Sequence, residues 1–442
     1  MSKEKNPFDN IVNLPATTYK NTTPVLKLGG VDLYLWDVVK ASLAARLNIG
    51  LGGGAGGGKS QLFADVQGLF GNNASYVLGR NDLDIKALFR QLNFGKLREA
   101  MDKGGTVSQK DLAQITSDIY RPLIVVEEIN RCAEIVQNQL FNIFEGFIEI
   151  DGVKYFLGHG ETQSFKDFDG KEFKKNSRYS VGVWSANFGN GQYTGTVTMD
   201  KALKERSHMI IDVDNFYPGV TNALDLDGIL LENGGEVRLK DVDTPQDQTK
   251  HFIDAFNYIK QKSYTPNPKE LGKEMLLFRY LTLGLDYIPV MDGKNSKRIM
   301  KETWPNKAEE DNIGTSDNDK LMYGIVSPAS VRSGMTVIAL ARSLREYAKA
   351  KDPKADPSVI DSVVESFKLV APYGGMIDNP QIIKEKFVGN NYLAAEKIGG
   401  IIKTRLQEKS DLIQAIADKK SKGEPYTQAM IDDCVGEYAC FR

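Results

Sequence analysis

The feature that most constrains this chain is a glycine run closing in Lys-Ser: Gly53, Gly54, Ala55, Gly56, Gly57, Gly58, Lys59 and Ser60. It satisfies G-x-x-x-x-G-K-[ST], and anion binding explains those residue types. Glycines let successive backbone N–H groups turn inward around phosphate oxygens. A helix that starts at the lysine points its positive end at the same anion. Lys59 is expected to neutralise the β- and γ-phosphates of a nucleoside triphosphate, and Ser60 to ligate Mg²⁺. A flexible linker shares this composition. A linker is not expected, however, between a short apolar strand at 48–51 and an amphipathic helix at 59–70. An almost all-glycine loop has more backbone entropy to lose on ordering, which lowers the expected nucleotide affinity.

A second element supports the first. Leu123, Ile124, Val125 and Val126 form an apolar run ending in Glu127 and Glu128. Such a run reads as a strand buried on both faces of a parallel sheet. It would deliver two carboxylates to the carboxyl edge of the sheet, beside the glycine loop. Glu127 is expected to hold Mg²⁺ through water, and Glu128 to orient and deprotonate an attacking water. Aspartate is usual at the first position. Glutamate is one methylene longer, and Mg²⁺ demands near-octahedral geometry, so the metal distance is expected to differ.

Around these motifs the pattern alternates between strands and helices. Helices are predicted at 31–46, 59–70 and 133–144, and strands at 74–78, 122–126, 179–186 and 209–213. Residues 82–118 read as helical with a break at Gly104-Gly105. Residues 147–156 read as a hairpin turning at Asp151-Gly152. The order implies a parallel sheet between helical layers, a three-layer α/β/α fold. Pro7, Pro15 and Pro24 make residues 1–30 an extended arm. The core is expected over 31–218. A linker, an insertion (a loop at 292–319) and a helical lid follow over 219–370. A helical extension covers 371–442. Within the lid, helices are predicted at 327–350, capped by Ser327, and at 356–370, capped by Asp356.

Five further stretches then carry a resemblance. They are Glu127 to Arg131; Val136 to Gly146; Trp184 to Phe188; Gly195, Thr196 and Asp200 through Arg206; and Ile211 to Val213. With the glycine loop and the hairpin, their order and spacing over about 160 residues resemble the MoxR-type AAA+ ATPases. That family reads D-E-I-N-R, V-Q-N-x-L-L-E-A-M-E, A-T-Q-N-P and G-T-Y-P-L-P-E-A-x-L-D-R-F. The resemblance implies that Asn187 is a sensor touching the attacking water or the γ-phosphate. It implies that Arg206 is an arginine finger reaching a neighbouring subunit's nucleotide, a type of group worth about 10³–10⁵ in rate. Ser327, Pro328 and Arg332 resemble the start of the family's lid helix, which makes Arg332 a second sensor for the nucleotide of its own chain. The hairpin and the break at Gly104-Gly105 would face a pore or a client. ATP with Mg²⁺, a homo-oligomeric ring (a hexamer) and a client or partner protein, including one with a von Willebrand A-type domain, are implied in the same way.

Composition narrows the alternatives. The 56 basic and 58 acidic side chains give a net charge of −2, so no surplus of cations advertises nucleic acid. A nucleic-acid motor of the McrB type, and a ring that binds nucleotide without much hydrolysis, are the rival readings. Cys132, Cys434 and Cys440 fit neither a zinc site nor a disulfide framework. No signal peptide and no membrane span is expected, which points to the cytoplasm.

Overall fold

Residues 6–19, 22–54, 56–104, 113–166, 170–188, 206–216, 223–233, 246–264, 268–282, 287–292, 295–300, 325–327, 329–377, 379–408, 410–422 and 424 are described by the computed structural model. After a helical turn at Asp9–Val12, the first regular pair is β1 (Leu26–Leu28) against β2 (Val31–Leu33). Gly29 and Gly30, at φ +59° and +89°, turn the chain between them. One helix over 31–46 is therefore not what forms. This left-handed pair folds the chain back, and the helix α1 (Leu35–Ala44) begins only after β2.

The chain then runs through β3 (Ile49–Gly52), the glycine loop, α2 (Lys59–Phe70) and β4 (Ala74–Leu78). Between β4 and the acid strand, nine of the described residues are α-helical. The segment holds β5 (Arg90–Leu92), α3 (Phe94–Asp102) and β6 (Ala113–Ile115), with β5 and β6 paired antiparallel. The helical pattern predicted over 82–118, with its break at Gly104-Gly105, gives way to strands at β5 and β6; no residue of α3 is buried, so no core contact lengthens it. Next come β7 (Leu123–Glu127), α4 (Glu134–Phe144) and the predicted hairpin β8 (Phe147–Ile150) and β9 (Val153–Phe156). The hairpin turns at Asp151 (φ +51°) and Gly152 (φ +81°) with Ile150 opposite Val153. A second hairpin follows, β10 (His159–Lys166) and β11 (Glu172–Tyr179), and then β12 (Val181–Ser185) and β13 (Met209–Asp212).

Five strands form one parallel sheet in the order β13-β3-β12-β7-β4. β3, β12 and β13 are buried at every residue, which is why their sequences are apolar or small throughout. One side of the sheet packs Leu51, Val125, Val183 and Ile211 against α1, α2 and the C-terminal helices. The other side packs Val126, Trp184 and Ile210 against α4 and the hairpin root. The fold is a three-layer α/β/α core followed by a helical part.

That part contains α5 (Ala223–Asn233), α6 (Thr249–Tyr264) and α7 (Pro268–Thr282), then a hairpin of β14 (Tyr287–Asp292) and β15 (Asn295–Met300). The hairpin occupies the start of the stretch predicted as a loop at 292–319; residues 301–319 lie outside the described residues. The helices α8 (Val331–Lys351), α9 (Val359–Val370), α10 (Pro380–Phe387), α11 (Asn391–Glu408) and α12 (Ser410–Ser421) follow among the described residues. The caps shift from those predicted. Ser330 accepts from the Ser333 N–H, and Ser358 from the Asp361 N–H, in place of Ser327 and Asp356. Among the described residues no helix is long and apolar enough to cross a membrane.

Candidate functional site

The carboxyl ends of β3, β12 and β7 lie side by side, because β12 is inserted between the loop strand and the acid strand. This brings the glycine loop, Asn187 and the Glu127–Glu128 pair to one edge of the sheet. Packing explains Gly52, Gly53 and Gly57. A Cβ on Gly52 would fall 1.8 Å from the Phe188 ring. One on Gly53 would fall 2.6 Å from Val213 Cγ2, and one on Gly57 would fall 2.8 Å from the same atom. Gly53, Gly56 and Gly58 also hold φ of +131°, +84° and +77°, open to glycine alone at little cost. Gly56 has no atom within 4 Å of where a Cβ would stand, so the loop is pinned at its base and open at its crown. That open cradle of N–H groups, at the start of a twelve-residue helix, fits a polyphosphate.

Lys59 is buried at the first position of α2. Its Nζ donates to the carbonyl of Gly53 at 3.0 Å and to that of Gly54. Burial lowers its pKa, opposed by the charges of Asp214, Asp212 and Glu128. The Gly54 N–H donates to Asp214 Oδ2 at 2.6 Å, which ties the loop to the end of β13. Ser60 follows in the first turn of α2, half-buried. Ala55 lies outside the described residues.

The two acids behave differently. Glu127 ends β7 and accepts from the Tyr76 hydroxyl of β4 at 2.8 Å. Burial, then this carboxylate, push the Tyr76 phenol up to about 12. Glu128 has left the strand for φ +53°, ψ +44°. Its N–H donates to Ser185 Oγ at 3.1 Å, and Arg131 grips its carboxylate through Nε at 2.8 Å and Nη2 at 3.2 Å. Asn187 is locked to the acid loop. The Asn130 amide donates to the Asn187 carbonyl at 3.0 Å, and the Asn187 N–H donates back at 3.4 Å. With Ser60, Glu127 offers the hard oxygen donors that Mg²⁺ takes alongside phosphate oxygens. Among the described residues no group of three or more His, Cys, Asp or Glu could hold a metal unaided.

The two arginines lie elsewhere. Arg206 Nε stands 3.3 Å and Arg332 Nη2 2.7 Å from one oxygen, Oε1 of Glu145, at the carboxyl end of α4. The Arg206 carbonyl accepts from Asn48, the residue before β3. His208, whose Nδ1 accepts from the Asn48 N–H, feels Arg332 strongly enough to lower its pKa, after burial, to about 4. Both arginines thus mark the edge where strands begin. β3 rises about 3.3 Å per residue, which puts that edge on the order of 13 Å from the glycine loop. The resemblance puts Arg332 at its own chain's nucleotide; here its guanidinium stands on Glu145 beside Arg206. Gly195, Thr196 and residues 200–205 lie outside the described residues.

A cavity of about 340 Å³ opens beyond Phe216, two residues after Asp214. Pro24 and Val25 of the arm, Phe216, and Lys368, Leu369 and Tyr392 of α9 and α11 are among its walls. Tyr373 and Tyr392 bind this region to β13: Tyr373 Oη donates to Asp212 Oδ2 at 2.6 Å, and the Asp212 N–H donates to Tyr392 Oη at 3.0 Å. Sequence reasoning gave no role to Tyr76, Arg131, Glu145 or Asp214. Arg131 and Glu145 carried a signal, the first standing inside the acid motif and the second inside the stretch from Val136 to Gly146.

Residues 48–148 match the profile of the AAA domain (dynein-related subfamily), under a quarter of the chain. No curated protein matches. A solved structure of a candidate ATPase from Cytophaga hutchinsonii is similar over 81% of this chain and 87% of its own, at 12% identity and a TM-score of 0.47. A likeness that faint adds no argument. The profile match and the three-layer core together support an AAA+ ATPase.

Proposed function

We propose that this protein hydrolyses ATP to ADP and phosphate in a homo-oligomeric ring and spends that free energy on remodelling a partner protein, as its resemblance to MoxR-type proteins implies. The observation that carries the reading is the convergence of three strand ends: the glycine loop on β3, Asn187 on β12 and Glu127–Glu128 on β7, all at one edge. In this reading the loop, with Lys59, cradles the phosphates, and Ser60 and Glu127 hold Mg²⁺. Mg²⁺ would offset the charge that builds on the phosphates. Glu128 takes the proton of the attacking water, and Asn187 orients that water. The cavity beyond Phe216 receives the nucleoside: Asn215 and Phe216 in its wall directly follow Asp214, which holds the Gly54 N–H, and its apolar walls (Val25, Leu26, Phe216, Leu369, Tyr392) are joined by the polar Asn215, Glu365, Lys368 and Glu396.

Arg206 and Arg332 are both assigned to the adjoining protomer's nucleotide. Their shared position at the far edge of the sheet supports this. Guanidinium groups so placed offset charge that builds on the transferring phosphoryl group. Turnover then needs two protomers, and specific activity rises with protein concentration.

The test is steady-state ATP hydrolysis against protein concentration, wild type beside Glu128→Gln. A rate that rises with concentration and vanishes in the variant supports catalysis between subunits. Bound ATP with negligible turnover at every concentration, with and without candidate partners, would count against the enzyme reading.

A further inference from the structure

Glu145 is a carboxylate in an unfavourable place. It caps the carboxyl end of α4, where the helix dipole is negative. Arg332 is equally misplaced, a cation in the first turn of α8, where the dipole is positive. Neither helix gains from its own charged residue, yet the two side chains meet at 2.7 Å. Arg206 joins them from a third segment, 3.3 Å from the same oxygen. One turn before Glu145, Phe141 presents its ring to the Arg206 guanidinium at 5.1 Å. The last turn of α4 therefore supplies both an anion and an aromatic face to one arginine, and the anion also to the other.

Two guanidinium groups thus share one carboxylate oxygen. The two nitrogens can be no more than about 6 Å apart, from the 3.3 and 2.7 Å contacts, so without Glu145 they repel. Arg46 adds to the cationic surroundings, lying 3.6 Å from where a Cβ on Gly146 would be. We propose that Glu145 is the positioning residue of this arginine pair. It gathers Arg206 and Arg332 into one cationic unit, which is transferred whole to the terminal phosphate of the nucleotide on the adjoining protomer. The proposal rests on the assignment of both arginines to the neighbour's site. A terminal phosphate carries more charge than Glu145 and three acceptor oxygens, enough to engage both guanidinium groups in place of the single shared carboxylate oxygen.

The experiment uses the full chain with Glu145→Gln and Glu145→Asp. Glutamine keeps the size and removes the charge; aspartate keeps the charge. For Glu145→Gln, kcat is expected to fall about 10- to 100-fold, the scale of a small misplacement of catalytic groups. KM for ATP should stay unchanged, because the variant's own glycine loop is untouched. Glu145→Asp should recover part of the loss. Mixing Glu145→Gln with Glu128→Gln protomers should restore turnover, since the latter bring an intact arginine pair to the former's intact acid. A purely structural defect in Glu145→Gln would not be repaired by mixing. Wild-type or higher kcat in Glu145→Gln, or no recovery on mixing while an Arg206→Ala and Glu128→Gln mixture does recover, overturns the proposal. If the Arg206→Ala mixture also fails to recover, the shared-site assignment falls and this proposal falls with it.

Discussion

Asp65 ties the N-terminal arm to the helix that follows the glycine loop, and removing its carboxylate is the sharpest test of how the arm is held. The side chain is 4% exposed, yet it accepts from three consecutive backbone N–H groups and one hydroxyl. Thr17 N and Thr17 Oγ1 donate to Oδ1 at 3.1 and 2.6 Å, Thr18 N reaches both oxygens at 3.0 Å, and Tyr19 N donates to Oδ2 at 2.7 Å. Hydrogen bonds to a charged group are worth about 1.5–3 kcal/mol each, but they do not add here. In Asp65→Ala the N–H groups of Thr17 and Thr18 can turn to water, since those residues are exposed and half-buried. Tyr19 is buried, so its N–H is the one that stays orphaned. The net cost is about 2–3 kcal/mol, or roughly 30- to 150-fold in the population of the docked arm. Asp65→Asn should fare little better. Either amide orientation puts a donor where two backbone donors now point. Amide hydrogen exchange at 17–19 reads the docking directly, and the urea midpoint reads the global share. Pro24 and Val25, further along the arm, wall the cavity, so nucleotide affinity should weaken in step. A change below about 0.5 kcal/mol with exchange at 17–19 unaltered would refute the reasoning, since that is the size of an ordinary surface substitution.

Other consequences can be checked with simpler measurements. Lys59→Ala should abolish nucleotide binding measured by calorimetry; affinity equal to wild type would remove the assignment of the loop. Gly57→Ala should weaken nucleotide affinity more than Gly228→Ala on α5, because its Cβ would fall 2.8 Å from Val213 while nothing lies within 4 Å at Gly228; equal titrations would deny that the loop is sterically pinned. His208 has a folded-state pKa of about 4, below the ordinary 6.5, because of burial first and then Arg332 and Arg46. Between these values the unfolded chain binds the extra proton, so stability rises with pH from about 4 to 6.5 and is lost as pH falls through that window. His208→Gln should flatten the slope by up to about 1.4 kcal/mol per pH unit, read from urea midpoints at pH 5, 6 and 7; an unchanged slope would contradict it.

Much of the fold was legible because its signals are local. A strand buried on both faces reads as an unbroken apolar run, as in β7, and Asp151-Gly152 encodes its own turn. The second hairpin, β10 with β11, was not legible. Its inner face rests on Phe165 and Phe173, which pack edge-on against Tyr264 of α6, far along the chain. The helix caps slipped by two or three residues for a similar reason. Several serines and aspartates near each start qualify locally. At α8 the first turn is fixed by Ser333, whose hydroxyl donates to the Gly374 carbonyl. The position of Arg332 has the same origin. A motif names the residue type and its helix; where that helix start meets the sheet depends on how α8 packs against α1, α7 and α9, and there Arg332 meets Glu145, nearly two hundred positions earlier.

The glycine run shows how a composition argument can point the wrong way. Read alone, so many glycines imply a floppy loop with much entropy to lose on ordering. In the structure, large side chains have already restricted it. Trp184 lies 2.1 Å from where a Cβ on Gly50 would stand, and Phe188 and Val213 crowd Gly52, Gly53 and Gly57 in the same way. Lys59 draws in the carbonyls of Gly53 and Gly54, and Asp214 holds the Gly54 N–H. Those glycines are small because their neighbours are large: the backbone approaches β12 and β13 more closely than any side chain would allow. Gly56, at the crown, combines a left-handed φ with open space. Ordering on nucleotide binding is then confined to the crown, and the entropy lost there is that of a few residues. The affinity penalty expected from composition shrinks accordingly. The same packing joins the loop to β13, and Asp212 joins β13 through Tyr373 and Tyr392 to the C-terminal part.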